Sequence, residues 1–181
     1  MRYLQIAATA LILLTAVQCR FSAEEKENKI VTVKEYQCLP CGLECDKLVL
    51  DADTGVCPKC QMELVDKATV TFGSVETSQL KDYIQKHPGL ILLDVRTKEE
   101  FEGKADPDFG TLKNAINIPV QELKTRMAEL DSFKTRDILV YCSHSHRSPR
   151  ASYMLVKSGF LKVVNMNGGM SLLTDKSLKK Q

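Results

Sequence analysis

The stretch that most restricts the fold is Asp137-Ile138-Leu139-Val140-Tyr141, an apolar run that ends on Cys142 and a polar loop. A continuous apolar run of strand length, without polar alternation, is what a strand covered on both faces requires. Leu90 to Val95 is a second such run, and Val70–Phe72, Ala115–Ile118 and Lys162–Met166 are shorter ones. Helical spacing fills the gaps between them. Leu80, Tyr83 and Ile84 share one helical face, and His87-Pro88-Gly89 breaks that helix. Thr97 with Glu100 forms a capping box for a short helix. Leu123, Met127 and Leu130 mark another helix. The segment from Pro149 to Ser158 reads as helix, with Ser148 as N-cap, Pro149 at the first helical position and Gly159 at the end. Strand and helix thus alternate from Thr69 onward, which predicts an α/β domain with a largely parallel sheet flanked by helices.

Ligands of such sheets bind at the carboxyl ends of strands, and Cys142 stands at one. Strand, cysteine, loop and helix in that order favour a thiolate. Loop N–H groups and the positive end of the helix attract an anion, and Arg147 adds a cation. The competing reading is a buried structural cysteine. Ser143, His144, Ser145, His146 and Ser148 complete the loop as candidate anion-binding residues, and the two histidines read equally well as exposed loop positions. Asp94 and Arg96 follow another strand end and support the site either by touching substrate or as a structural ion pair.

The 181 residues leave room for a small extra module. With 25 basic and 23 acidic side chains, the near-neutral charge gives no reason to expect nucleic acid as a partner. Residues 1–19 read as a signal segment: Arg2, then an apolar core from Leu4 to Val17 too short to span a bilayer comfortably. Residues 20–35 are charged and read as a tether, with a short strand expected at Ile30–Val33. Residues 36–67 carry two pairs, Cys38-Leu-Pro-Cys41 and Cys57-Pro-Lys-Cys60, fifteen residues apart, which is zinc-ribbon spacing. Each CxxC turn aims two thiolates at one point. Disulfides are the alternative, although five cysteines between Cys38 and Cys60 leave one over. Cys45 reads as that spare thiol, or as the partner of Cys41 in the first pair. So short a segment builds little apolar core, so a structural metal would supply its folding energy. The ribbon is then expected to unfold on chelation while Thr69–Leu173 stays folded.

The residues also resemble a known family. Cys142-Ser143-His144-Ser145-His146-Arg147 resembles the active-site loop of single-domain rhodaneses, in which a cysteine opens a six-residue loop and takes up a sulfane sulfur as a persulfide. Leu92-Leu93-Asp94-Val95-Arg96, Glu100-Phe101 with Gly103, Asn114-Ala115-Ile116-Asn117-Ile118-Pro119 and Asn165-Met166-Asn167-Gly168-Gly169-Met170 match further family motifs in order. The resemblance covers Thr69 to Leu173, and residues 69–175 are identified as a rhodanese-like domain. Two departures stand out: Lys104–Lys113 is longer than usual and lacks a histidine, and no tryptophan follows Gly-Gly-Met. Cys57-Pro58-Lys59-Cys60-Gln61-Met62-Glu63-Leu64 resembles the end of small heavy-metal-binding domains of metal-efflux proteins. Pro40-Cys41, where those domains carry Met-His, shifts the donors toward four sulfurs and zinc. Thr15-Ala16-Val17-Gln18-Cys19 resembles an imperfect bacterial lipoprotein signal. This implies lipid on Cys19, a membrane anchor and a cell-envelope location, against a plain cleaved signal or an uncleaved anchor.

Together the resemblances imply an exported sulfurtransferase. Cys142 would take sulfur from a small donor such as thiosulfate and pass it to a thiol or cyanide, with Arg147 orienting the loop or the anion. The expected ribbon ligands are Cys38, Cys41, Cys57 and Cys60, and no organic cofactor is implied. A non-catalytic metal-binding or docking protein is the rival reading. A phosphatase or arsenate reductase of the same superfamily is less compatible, because only four residues separate Cys142 from Arg147.

Overall fold

The computed structural model describes residues 34–42, 44–50 and 55–180. The expected signal segment with Cys19, most of the tether and the strand expected at Ile30–Val33 lie outside these residues. No helix among the described residues is long and apolar enough to cross a membrane.

The cysteine-rich segment forms a small antiparallel sheet. Its strands are β1 (Tyr36–Cys38), β2 (Val49–Leu50) and β3 (Leu64–Asp66), in the order β2-β1-β3. Cys38 lies opposite Leu64, and Tyr36 lies between Leu50 and Asp66. The module's own core is Cys38, Cys41, Cys45, Cys57 and Leu64, with Tyr36, Leu48, Leu50, Cys60 and Met62 partly buried around them. Thiols therefore occupy the place that hydrocarbon fills in a larger domain.

The main sheet has five parallel strands: β4 (Gly73–Glu76), β5 (Ile91–Asp94), β6 (Ile116–Asn117), β7 (Asp137–Tyr141) and β8 (Lys162–Asn167), in the order β4-β8-β7-β5-β6. β7 is central, pairing with β5 on one side and β8 on the other. Its side chains alternate between two cores. Ile138 and Val140 join Leu123, Ala151 and Leu155 on one face. Leu139 and Tyr141 join Leu80, Met170 and Leu173 on the other. All four strand residues are 0% exposed, so the unbroken apolar run is explained by cover on both faces. The helices are α1 (Leu80–Lys86), α2 (Lys98–Phe101), α3 (Leu123–Arg126) and α4 (Arg147–Lys157). The capping box at Thr97 and Glu100 is present.

Three local readings change. The strand expected at Val70–Phe72 starts instead at Gly73, where pairing with Val164 of β8 begins. Asp66 accepts from the Ala68 N–H and Thr69 Oγ1 donates to the Asp66 carbonyl, which tightens 67–69 into a 3-10 turn. α4 starts at Arg147 rather than Pro149, so Ser148 lies inside the first turn and is not the N-cap. The ribbon, finally, is not a separate body. Leu39 and Val65 are buried in the same core as Cys142, Ile138 and Leu155. Thr69 Oγ1 also hydrogen-bonds the Tyr153 hydroxyl on α4 at 2.8 Å. Burying one leucine this way is worth about 1.5–3 kcal/mol, enough to tie the two modules thermodynamically. Independent unfolding of the ribbon does not fit this shared core.

Candidate functional site

The loop after β7 has two fixed walls. The carbonyls of Cys142 and Ser143 accept from the N–H groups of Met170 and Ser171, at 2.8 and 2.9 Å. This close approach needs Gly169: a Cβ there would lie 2.4 Å from the Ser143 oxygen and 2.5 Å from the Cys142 oxygen. In planar trans peptides the next N–H points opposite to the carbonyl, so those of Ser143 and His144 are aimed away from the 169–171 turn. Ser145 holds a left-handed conformation, φ 57°, which serine adopts rarely and which curls the loop back toward α4.

On the other side the loop is clamped by charge. Arg147 donates to both oxygens of Glu100, at 2.6 and 2.7 Å, and to Ser143 Oγ at 3.1 Å. Ser143 Oγ also donates to Glu100 Oε1 at 2.6 Å. The bidentate Arg147 guanidinium holds the Glu100 carboxyl at about 2, against the penalty of partial burial. Glu100 and, secondarily, the nearby Cys142 sulfur raise the guanidinium of Arg147 in turn. Glu100 is a site residue that sequence reasoning placed in the capping box and in a family motif without giving it a role at the loop. Its partner lies 47 positions away, and no local pattern links the two.

Cys142 itself is almost wholly buried, with Ser148 Oγ 3.4 Å from its sulfur. The start of α4, which no side chain caps, lies at the end of the same loop. A hydroxyl, the N-terminus of α4 and the Arg147 guanidinium thus lie around one thiol. Ser143, Ser145 and Ser148 are buried with it, whereas His144 and His146 are exposed. His144 packs edge-on against Phe109 at 5.3 Å, so the long 104–113 segment forms part of the loop's rim. Asp94 and Arg96 form a fully buried ion pair, 2.6 Å between Oδ2 and Nη2. Arg96 Nη2 also donates to the Gly110 carbonyl and Thr111 Oγ1, so the pair fastens the 104–113 segment.

In the ribbon the four sulfurs that converge are Cys38, Cys45, Cys57 and Cys60, all within 4.8 Å of one another. This corrects the expected set: Cys45 takes the place of Cys41. The physical reason is Asp46. Its carboxylate accepts from the N–H groups of Cys41 and Gly42, at 3.0 and 2.6 Å, and lies 3.4 Å from Cys41 Sγ. That turn draws Cys41 out of the group and leaves it 4.0 Å from Cys45 Sγ. Burial, reinforced by Cys60 at 3.1 Å, pushes the Cys38 thiol up, and burial likewise pushes up Cys45. Burial acts the same way on Cys57, but the N–H groups of Cys60 and Lys59 outweigh it and hold that thiol at about 7. Sulfurs this close need a shared cation to ionise together. The donor set and separations fit a four-thiolate metal ion.

Comparison with known proteins agrees with this geometry. The rhodanese-like domain model matches residues 76–176. An uncharacterized protein of Bacillus subtilis (strain 168), YqhL, is 40% identical over 78 residues, 43% of this chain and 56% of its own length. The chain therefore spans little more than half of that relative. A protein of Allochromatium vinosum named sulfurtransferase is 28% identical over 96 residues, covering 53% of this chain and 82% of that protein. A solved protein of Staphylococcus saprophyticus shares the fold at a TM-score of 0.50 and 23% identity, covering 60% of this chain and all of that one. The buried loop thiol after β7, its Gly169 wall and the match over more than half the sequence lead to one conclusion: the chain belongs to the rhodanese-like domain family.

Proposed function

We propose that the protein is an exported sulfurtransferase that carries a sulfane sulfur on Cys142 and holds a structural zinc ion in its ribbon. The observation that carries this reading is the thiol of Cys142 set between Ser148, the start of α4 and the Glu100–Arg147 clamp. In the first half-reaction the Cys142 thiolate attacks the sulfane sulfur of thiosulfate. A new S–S bond forms, the old one breaks, and sulfite leaves with the electron pair. In the second, cyanide or a thiolate attacks the terminal sulfur, and the Cys142 thiolate departs. The cycle needs no oxidant and no organic cofactor. Arg147 stays paired with Glu100 and fixes the loop, so that oriented N–H groups and the α4 terminus stabilise the persulfide anion. Export rests on the apolar segment ahead of Cys19, and lipid on Cys19 would anchor the protein at the membrane of the cell envelope.

Thiocyanate formation from thiosulfate and cyanide tests the reading. Wild type should turn over, and Cys142→Ser should not. Turnover retained in the serine variant would remove Cys142 from the chemistry. No turnover with cyanide or any thiol acceptor would favour the docking role instead.

A further inference from the structure

Asn165 and Asn167 are polar positions on β8, a strand inside a sheet covered on both faces. They share the face of Val163, the face on which Leu39 and Val65 of the ribbon are buried. Asn167 Nδ2 donates to Glu76 Oε1 at 2.7 Å, which turns Asn167 Oδ1 toward Asn165. Asn165 Nδ2 then donates to Asn167 Oδ1 at 2.9 Å, to Ser145 Oγ at 3.2 Å and, at a long 3.5 Å, to the Pro40 carbonyl. Pro40 belongs to the first cysteine turn of the ribbon, and Ser145 is the left-handed residue of the Cys142 loop. One fully buried amide therefore touches both modules. Its own Oδ1 has no partner among the described residues, so nothing else fixes that side of the amide. A second contact lies beside it: a Cβ on Gly42 would come within 3.0 Å of the Asn167 side chain, so the turn is seated directly on this pair.

We infer that Asn165 is a positioning residue that couples the first cysteine turn of the ribbon to the Cys142 loop, so that the state of the ribbon sets how well the loop holds an anion. This link deepens the sulfur-transfer reading of Cys142 and rests on it. If the turn moves, Asn165 loses Pro40, its hold on Ser145 changes, and the loop N–H groups lose the orientation that the 169–171 wall gives them. Thiolate ligands of a metal would hold the turn in place from the ribbon side.

The test reads the loop without needing sulfur transfer. Cys142 is alkylated in the full chain with iodoacetate and with iodoacetamide, and initial rates are read on the Cys142 peptide by mass spectrometry. The ratio of the two rates reports the preference for an anion and cancels changes in access. Gly42→Ala, which strains the left-handed turn at φ 86° and crowds Asn167, and Asn165→Ala should each lower the ratio on the order of tenfold. The double variant should be no worse than either single one, because both act through one link. Should Asn165→Ala fail to fold, Ser145→Ala cuts the same contact and takes its place in the cycle. A ratio unchanged by Gly42→Ala, or effects that multiply in the double variant, would overturn the coupling. Absence of persulfide formation alone would overturn the sulfur-transfer reading and leave this ratio interpretable.

Discussion

The two sulfur sites of this chain are both largely buried and differently surrounded. Cys142 is a single sulfur set beside a hydroxyl, a helix start and a guanidinium that Glu100 holds in place. Cys38, Cys45, Cys57 and Cys60 stand among one another, and burial with sulfur neighbours pushes Cys38 and Cys45 toward the neutral thiol. Burial alone therefore does not decide what a cysteine does. The first site sets protein groups around a single sulfur, and the second gathers four donors whose combined charge a cation would balance.

The sharpest way to break this contrast is to remove one ribbon sulfur. Cys45→Ser should weaken zinc binding by more than about 100-fold, beyond what loss of a supporting group costs, whereas Cys41→Ser should stay within about tenfold of wild type. A competition titration with a chromophoric chelator checks both. Equal losses in the two variants would return Cys41 to the ligand set.

The next effect concerns the charge clamp of Cys142. Glu100→Gln should lower stability by about 1–3 kcal/mol at neutral pH, because the half-buried Arg147 loses its carboxylate partner. The Glu100 carboxyl is held at about 2, below its ordinary 4.5. Its stabilising contribution is then complete above about 4.5 and is lost as pH falls toward 2. Urea unfolding of both proteins from pH 7 to pH 2.5 should show the difference shrinking across that window. A difference that stays constant with pH would assign it to packing rather than charge.

The parallel sheet was legible because the β7 run has one physical explanation, cover on both faces. The loop thiol was legible because strand, cysteine and helix are contiguous. What was not legible depends on distance along the chain. Glu100 reads as a capping residue, and nothing near it announces Arg147. Cys45 reads as spare, because CxxC spacing suggests Cys41 and gives no hint of the Asp46 carboxylate that turns Cys41 aside. The shared core was hidden because Leu39 sits between two cysteines, where ribbon spacing dominates the reading. Asn165 and Asn167 did carry a signal: two asparagines in a strand of a doubly covered sheet call for a buried polar network.

The smallest effect sharpens the contrast at the sulfur itself. Ser148→Ala removes the hydroxyl 3.4 Å from Cys142 and should change stability by no more than about 1 kcal/mol. It should still slow single-turnover sulfite release from thiosulfate several-fold. An unchanged rate would show that the hydroxyl only fills space beside the thiol.

Sulfur transfer as proposed places the sulfur on Cys142 and not on the ribbon. Intact mass after reduction, desalting and incubation with thiosulfate tests it directly, followed by peptide mapping. One added sulfur, located on the Cys142 peptide and absent from Cys142→Ser, is the predicted result. Sulfur found on the ribbon cysteines, or gained equally by the serine variant, would contradict it.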